Sequence, residues 1–372
     1  MNYENLSERK KQILYNAIED YIQFASPITS GDVHEKHLKD ISPATLRNEL
    51  NALEAMGYLK QLHTSSGRVP TTKAYRLFVN ELMHQTKFNK KSLVAVKDIL
   101  TRRTSMLSDI INSLANVISD ATNYPTVVVM NSYDKLVIES IKIIPLIDGN
   151  GIVLIGTKNG IINNSISLSN NVSQENCIDA SNFLSVQFAG KTLKELKTNL
   201  NNYINTMNEE IEDFGGLISN LIDCLTNLTS NAGQYVSTGA TKLLNNPEYN
   251  KIDNAKKVLE VLDDDELLKQ AVLENDDSEI SFSIGSENKH QELEGCSIVK
   301  AHYNIDGESV ASIGIIGPER MDYSKVASAL KYIVGEMKRL EQLPEFKEDD
   351  DEWKKTRTKN KNFMKWITTW KI

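Results

Sequence analysis

Thr45, Arg47, Asn48 and Asn51 bring a hydroxyl, a guanidinium and two carboxamides together at offsets of two, three and six residues. On an α-helix these offsets fall on one side, and Ala44 beside them keeps that side narrow. Such groups exchange hydrogen bonds with base edges or phosphate oxygens, and a narrow polar helix fits a DNA major groove. The element that presents them is legible in the same stretch. Ser42 is placed to cap a helix and Pro43 to occupy its first turn, where the missing amide proton costs nothing. Leu46, Leu50, Leu53 and Met56 follow at helical spacing, so the face opposite the polar one is buried, and Gly57 can end the helix in a left-handed turn.

The flanking residues supply the support. Ser7 caps a first helix with Ile13, Leu14, Ala17, Ile18, Tyr21 and Ile22 inward, and Pro27 stops it. Ser30 caps a short second helix to about His37, and Leu38 to Ile41 turn into the third. A hairpin of Tyr58 to Leu62 and Arg68 to Pro70 turns through Thr64-Ser65-Ser66-Gly67. Thr71 or Thr72 then opens a fourth helix with Tyr75, Phe78, Val79 and Leu82 inward. Helix, helix, turn, helix, wing, helix predicts a winged helix-turn-helix domain over residues 1–85 whose target is duplex DNA.

The net charge of −8 looks wrong for a DNA binder until it is divided along the chain. Residues 1–90 hold twelve Lys or Arg against ten acids, a net +2, which leaves −10 for the remainder. Basic charge on one small domain serves phosphate binding, while an acidic body limits nonspecific adhesion. Three scattered cysteines, Cys177, Cys224 and Cys296, fit a reducing, cytoplasmic setting better than a disulfide framework. MNYENLSERKK has no apolar signal region and no run approaches the roughly 18 apolar residues of a membrane span, so neither export nor insertion is expected.

Behind the winged domain the pattern changes. Leu93, Val96, Leu100, Leu107, Ile110, Ile111, Leu114 and Ile118 predict one long helix over 92–122, bent near 101–104. Strands are expected at 126–130, 137–145, 152–157 and 161–168, helices over 172–230, a strand near Tyr235 and helices through 242–274. Strands return at 279–285, 297–303 and 309–316, and Asp322 opens a last helix with Val326, Leu330, Ile333, Met337 and Leu340 on one side. No phosphate-binding GxxxxGK, no GxSxG and no nucleophile–base pairing occurs, so an enzyme is not expected.

The blocks SPATLRNELNALEAMGYLKQLHTSSGRVPT, TNYPTVVVM, GATKLLNNPEY, IGSENKHQELEGCSIVKAHY and GIIGPERMDYSKV, in that order, resemble the bacterial heat-inducible transcription repressors of the HrcA family over roughly residues 6–340. The resemblance implies an α+β multidomain chain. An N-terminal winged helix precedes a GAF-like α/β domain (88–130 and 231–342), with an antiparallel-sheet-plus-helices dimerisation domain (131–230) inserted into it. It implies a homodimer that binds an inverted-repeat operator of the CIRCE type upstream of chaperone operons, is kept active by the GroE chaperonin, and needs no cofactor. Carried onto this sequence, the helix contacts are Ser42, Thr45, Arg47, Asn48 and Asn51, and the wing contacts are His63, Thr64, Ser65, Gly67 and Arg68. Ser66 stands where the family commonly has Ala, and Leu62 where it commonly has Pro; neither removes a DNA-contacting side chain.

Structural alternatives stand beside these readings. Arg47 has possible acidic partners in Glu54 and Asp40, whereas Arg68, in a Gly-Arg hairpin, is expected on phosphate or in the minor groove. His34 and His37 share a helix face at zinc-holding spacing without a third ligand nearby, so no metal is expected. Gly314, Gly317, Pro318 and Arg320 could form an anion-binding loop ahead of the helix opened by Asp322, but that acid already serves the helix dipole, so a structural turn is expected instead. Two functions of other classes remain open: a ligand-gated regulator with a metabolite pocket in the GAF-like domain, and a catalytic or scaffolding protein whose winged domain binds protein. The tail, 343–372, stands outside the resemblance. Its residues 353–372 hold seven Lys or Arg, no acid and all three tryptophans, with Phe363, Trp366, Ile367 and Trp370 at helical spacing. Disorder, docking on the acidic body and weak contact with an anionic surface are its three readings.

Overall fold

A computed structural model describes residues 6–61, 67–84, 86, 89–101, 106–130, 133–147, 149–169, 172–203, 214–230, 235–274, 278–305 and 308–341. The tail and its three tryptophans lie outside the described residues, as do Leu62 to Ser66 of the hairpin.

The N-terminal domain follows the expected order: α1 (Glu8–Phe24), α2 (Ser30–Lys36), α3 (Pro43–Ala55), β1 (Leu59–Gln61), β2 (Arg68–Pro70) and α4 (Thr72–Leu77), the last widening into a π-helical turn over Phe78–Leu82. Ser7 caps α1 by accepting from the Lys10 amide, and Thr71 caps α4 by accepting from Ala74. The first helix ends at Phe24, with Ala25 left-handed at φ 53°, ahead of Pro27. The cap of α2 is Thr29 and not Ser30. Thr29 and Asp32 satisfy each other's backbone amides in a capping box, which a cap at Ser30 would forgo. Ile13, Leu14, Ala17, Ile18, Val33, Leu46, Leu50, Leu53, Tyr58 and Phe78 are fully enclosed. Each large apolar side chain among them contributes about 1.5–3 kcal/mol of burial.

The long helix expected over 92–122 is two helices, α5 (Lys90–Leu100) and α6 (Leu107–Thr122), packed against each other. The apolar periodicity runs through the break, but Thr101 turns its hydroxyl back onto the Asp98 carbonyl, a bond that competes with helix continuation. Asn123 ends α6 in a left-handed turn at φ 66°.

Two further sheets follow. The larger has five antiparallel strands in the order β7-β3-β10-β9-β8, where β3 is Thr126–Met130, β7 Tyr235–Thr238, β8 Ile280–Ile284, β9 Cys296–Ile305 and β10 Glu308–Pro318. Every residue of β3 is buried, which is why its sequence TVVVM does not alternate. The smaller sheet is the meander β4 (Ile138–Pro145), β5 (Asn150–Thr157) and β6 (Gly160–Ser167). It lies in the chain between β3 and β7, which pair directly with each other, together with α7 (Gln174–Phe188), α8 (Leu193–Asn199) and α9 (Phe214–Ser230). Helix α7 covers the outer edge of β4. The Ser185 hydroxyl accepts from the Ile141 amide and donates to the Ile141 carbonyl, and Ser181 accepts from the Ile143 amide at 2.8 Å. The edge strand's polar groups are thereby satisfied and closed to further pairing.

Helices α10 (Ile252–Asp263), α11 (Asp265–Leu273) and α12 (Tyr323–Glu341) complete the body. One face of the large sheet carries α11, where buried Lys300 donates to the carbonyls of Ala271 and Glu274 at 3.1 Å. The other face meets the start of α12 through the Ser297–Tyr323 hydroxyl pair, and Asp322 caps that helix through the Lys325 amide. Cys177, Cys224 and Cys296 are free and buried; burial pushes the Cys224 thiol up to about 11, so none is poised as a thiolate. Among the described residues no helix is long and apolar enough to cross a membrane.

Candidate DNA interface

Helix α3 is oriented by its buried stripe. Leu46, Leu50 and Leu53 are fully enclosed against α1 and α2, and this turns Ala44, Arg47, Asn48 and Asn51 outward, with Thr45 half-buried at the margin. Ser42 accepts from the Thr45 amide at 3.2 Å, and the two hydroxyls meet at 2.9 Å. The exposed Ser42 thus fixes the helix start. Neither Arg47 nor Asn48 is engaged by a hydrogen bond or ion pair among the described residues: Glu54 and Asp40 leave Arg47 free. Lys39 in the preceding turn and Lys60 on β1 are exposed, whereas Lys10 and Arg9 are spent on Glu49 at 3.0 and 3.8 Å.

The wing is tied down at its base. Leu59–Gln61 pairs antiparallel with Arg68–Pro70, and Ile28 forms a third rung, its amide donating to the Arg68 carbonyl at 2.7 Å and its carbonyl accepting from Arg68 at 2.9 Å. Gly67 is required by this approach, because a Cβ there would sit 2.6 Å from the Ile28 oxygen. Gly57, left-handed at φ 78°, makes the turn from α3 into the wing. His63, Thr64 and Ser65 lie outside the described residues.

Arg68 departs from the sequence expectation. Its side chain is only 12% exposed, its Nε donates to Glu54 Oε2 at 2.8 Å, and its Nη2 donates to Asn51 Oδ1. Of Arg47 and Arg68, the former is the one without a partner among the described residues, and the latter is the one held by Glu54. Sequence reasoning missed Glu54 as a partner of Arg68 because the two are fourteen residues apart in different elements. The histidines also have structural tasks: His34 Nδ1 lies 2.9 Å from the Ile41 carbonyl, and His37 Nε2 lies 3.0 Å from Asp20 Oδ1, a carboxylate that also receives Lys36. No cluster of three or more His, Cys, Asp or Glu suited to a metal occurs among the described residues.

A second polar constellation joins the winged domain to the body. From α4, Arg76 donates to Glu287 Oε1 at 2.8 Å and to the Phe282 carbonyl at 2.6 Å, while Thr72 donates to Glu319 at 3.1 Å. From the body, Arg320 holds Glu248 through two bonds, of 2.6 and 3.2 Å, and reaches the Ile22 carbonyl in the last turn of α1. Pro318 ends β10, so the Gly-Pro-Glu-Arg segment is the structural turn expected, and its arginine is a brace across the interface. Tyr75 and Tyr323 meet between these pairs with centroids 5.7 Å apart, and burial drives both phenols well above their ordinary range.

Comparison with known proteins fixes the family of this architecture. Residues 5–84 match the model of the winged helix-turn-helix transcription repressor, HrcA DNA-binding, and residues 108–327 match that of the HrcA protein C-terminal domain. A heat-inducible transcription repressor HrcA from Ruminiclostridium cellulolyticum is 35% identical over 337 residues, covering 88% of this chain and 95% of that protein. The chain belongs to the HrcA family of heat-inducible transcription repressors. An HrcA repressor from Acetivibrio thermocellus is 32% identical over 338 residues, covering 90% of this chain and 95% of its own. A crystal structure described as a hypothetical protein at 2.2 Å resolution shares the fold seen here, with a TM-score of 0.61 and 22% identity, over 90% of this chain and 98% of that one.

Proposed function

We propose that this chain represses heat-shock chaperone operons from the cytoplasm by binding a CIRCE-type inverted repeat as a homodimer, and that a GroE chaperonin maintains its binding-competent form. The observation that carries the reading is the exposed α3 face, where Arg47 and Asn48 have no partner among the described residues. Polar side chains kept free of internal partners on a capped, rigid helix are pre-organised for a ligand with many acceptors. Thr45, Asn48 and Asn51 serve base edges, Arg47 serves phosphate or guanine, and the exposed Ser42 lies beside the backbone path. His63, Thr64 and Ser65 contact the duplex from the wing, with Gly67 shaping its base. An inverted repeat needs a two-fold dimer to present both recognition helices to successive major-groove faces.

The dimer is assigned to residues 131–230, inserted into a GAF-like domain of 88–130 and 231–342. Direct pairing of β3 with β7 across that segment supports an insertion. Exposed Ile144, Leu146, Ile147, Ile178 and Val186, all within it, support an apolar contact with a second copy. Deleting the segment should leave a monomer by sedimentation, and a dimer after deletion places the interface elsewhere. The chaperonin claim rests on the family resemblance and on mass action. Chaperonin with nucleotide should raise the operator-competent fraction, and an added unfolded client should lower it, with intrinsic affinity unchanged. An active fraction indifferent to both removes this mechanism.

A ligand-gated reading has one observation in its favour, a cleft of about 670 Å³ with Tyr249, Val258, Val261 and Leu267 among its walls and Glu248, Glu260 and Asp264 among its acids. A metabolite that raises the melting temperature and shifts operator affinity together would favour it.

A further inference from the structure

We infer that Arg68 is a positioning residue for sequence reading: it spends its charge on Glu54 and fixes the Asn51 carboxamide so that a hydrogen-bond donor faces the groove. The inference rests on the reading of α3 as the recognition helix. Glu54 lies in the last turn of α3, where a carboxylate is disfavoured by the helix dipole and would repel an approaching phosphate backbone. Arg68 neutralises it at 2.8 Å with a side chain that is 12% exposed. Engaging a phosphate would therefore strip Glu54 of its partner.

The second contact sets the chemistry of Asn51. A guanidinium has only donors, so the carboxamide atom facing Arg68 is the oxygen, and the amide nitrogen with its two protons faces away. Asn51 is exposed, so those protons are what it offers to DNA. Asparagine reads adenine in two-pronged fashion by accepting from N6 and donating to N7 together. With one lone pair of its oxygen taken and that oxygen turned toward Arg68, Asn51 presents its amide protons, which favours base edges that accept: guanine N7 or O6, thymine O4, or adenine N7 alone. The backbone rungs from Ile28 and Gln61 hold Arg68 from both sides, which keeps the brace from swinging out with the wing. Three elements, α3, β2 and the segment before α2, thus set one amide.

The test uses full-length protein and duplexes selected by it from a randomised inverted-repeat pool, with binding to each single-base variant measured across a salt series. The parent protein should show, at one base pair per half-site, a preference for an accepting edge. In Arg68→Lys the charge stays but the two-pronged brace is lost, and in Arg68→Ala both go. Each should blunt that single preference by about tenfold; Arg68→Lys should keep the salt slope of the parent, whereas Arg68→Ala, which uncovers Glu54, should also bind every duplex more weakly. Asn51→Asp, which keeps an oxygen for Arg68 and offers acceptors instead, should redirect the preference toward cytosine or adenine. Arg68→Ala lowering the salt slope by about one, with Arg68→Lys restoring it and all base preferences intact, would make Arg68 a phosphate contact and overturn the inference. Should Arg68→Ala fail to fold, Arg68→Lys and Asn51→Asp decide alone: unchanged base preference in both also overturns it. A parent protein that selects no duplex removes the recognition reading itself, and the inference with it.

Discussion

The winged domain has two polar surfaces, and they treat their arginines in opposite ways. On the side proposed to face DNA, Arg47 and Asn48 are exposed and have no partner among the described residues. On the side facing the body, Arg76 holds Glu287 and the Phe282 carbonyl across the interface, and the body's Arg320, held by its own Glu248, reaches the Ile22 carbonyl of α1. A buried charge without a partner costs several times what a paired one gains, so the charged groups of an interface that must hold are paired. An exposed group loses little by waiting in water, so a surface that must meet DNA is left open. Arg68 lies between the two regimes, close to the groove yet paired.

The largest expected effect comes from breaking the holding side. Arg320→Ala leaves Glu248 and the Ile22 carbonyl without their cation and should cost roughly 3 kcal/mol in denaturant unfolding. That is the low end of the range for a broken buried pair, because the Glu248 side chain is 31% exposed. The ratio of operator to nonspecific affinity should be unchanged in the protein that remains folded, and a changed ratio would merge the two surfaces into one.

The reading side should respond in the other direction, with stability kept and affinity lost. Asn48→Ala and Thr45→Ala should each cost about 1–3 kcal/mol on the specific duplex alone, while Arg47→Ala weakens both duplexes and flattens the salt dependence by about one phosphate. Equal losses on both duplexes for every variant would sink base reading by α3.

A smaller effect sharpens the holding side. Burial, and then Asp322 with a lesser push from Asp20, raise the Glu19 carboxyl, against the opposing influence of His84. The sign follows from proton counting: an acid with a raised native pKa holds its proton longer when folded, so its contribution to stability falls as pH rises from the unfolded pKa through the native one. Its charged form is therefore a cost at neutral pH. Glu19→Gln should raise the melting temperature slightly at about pH 7 and have no effect near pH 3, where both states are protonated. A lower melting temperature at neutral pH would mean that the carboxylate is a net support.

How much of this could be read from the chain depended on distance along it. Ser42, Pro43 and the leucine spacing of α3 are local, and the bounds of that helix were legible to within a residue. Strand β3 was equally clear because Pro125 precedes an unbroken apolar run. Thr29 and Ser30 are adjacent hydroxyls with the same capping ability, and only the reciprocal bond to Asp32 chooses between them. The break after Leu100 was hidden because the apolar period continues across it. The pairs that decide the role of each arginine, Arg68 with Glu54, Arg76 with Glu287 and Arg320 with Glu248, join residues that only the fold brings together.

The most direct measurement is binding of the purified protein to an inverted-repeat duplex and to a scrambled duplex of equal length, each across a salt series. The account predicts a specific complex at least roughly a thousandfold tighter than the nonspecific one, of the order seen for sequence-reading proteins, with affinity falling steeply as salt rises. Equal affinity for both duplexes, or binding indifferent to salt, would contradict it.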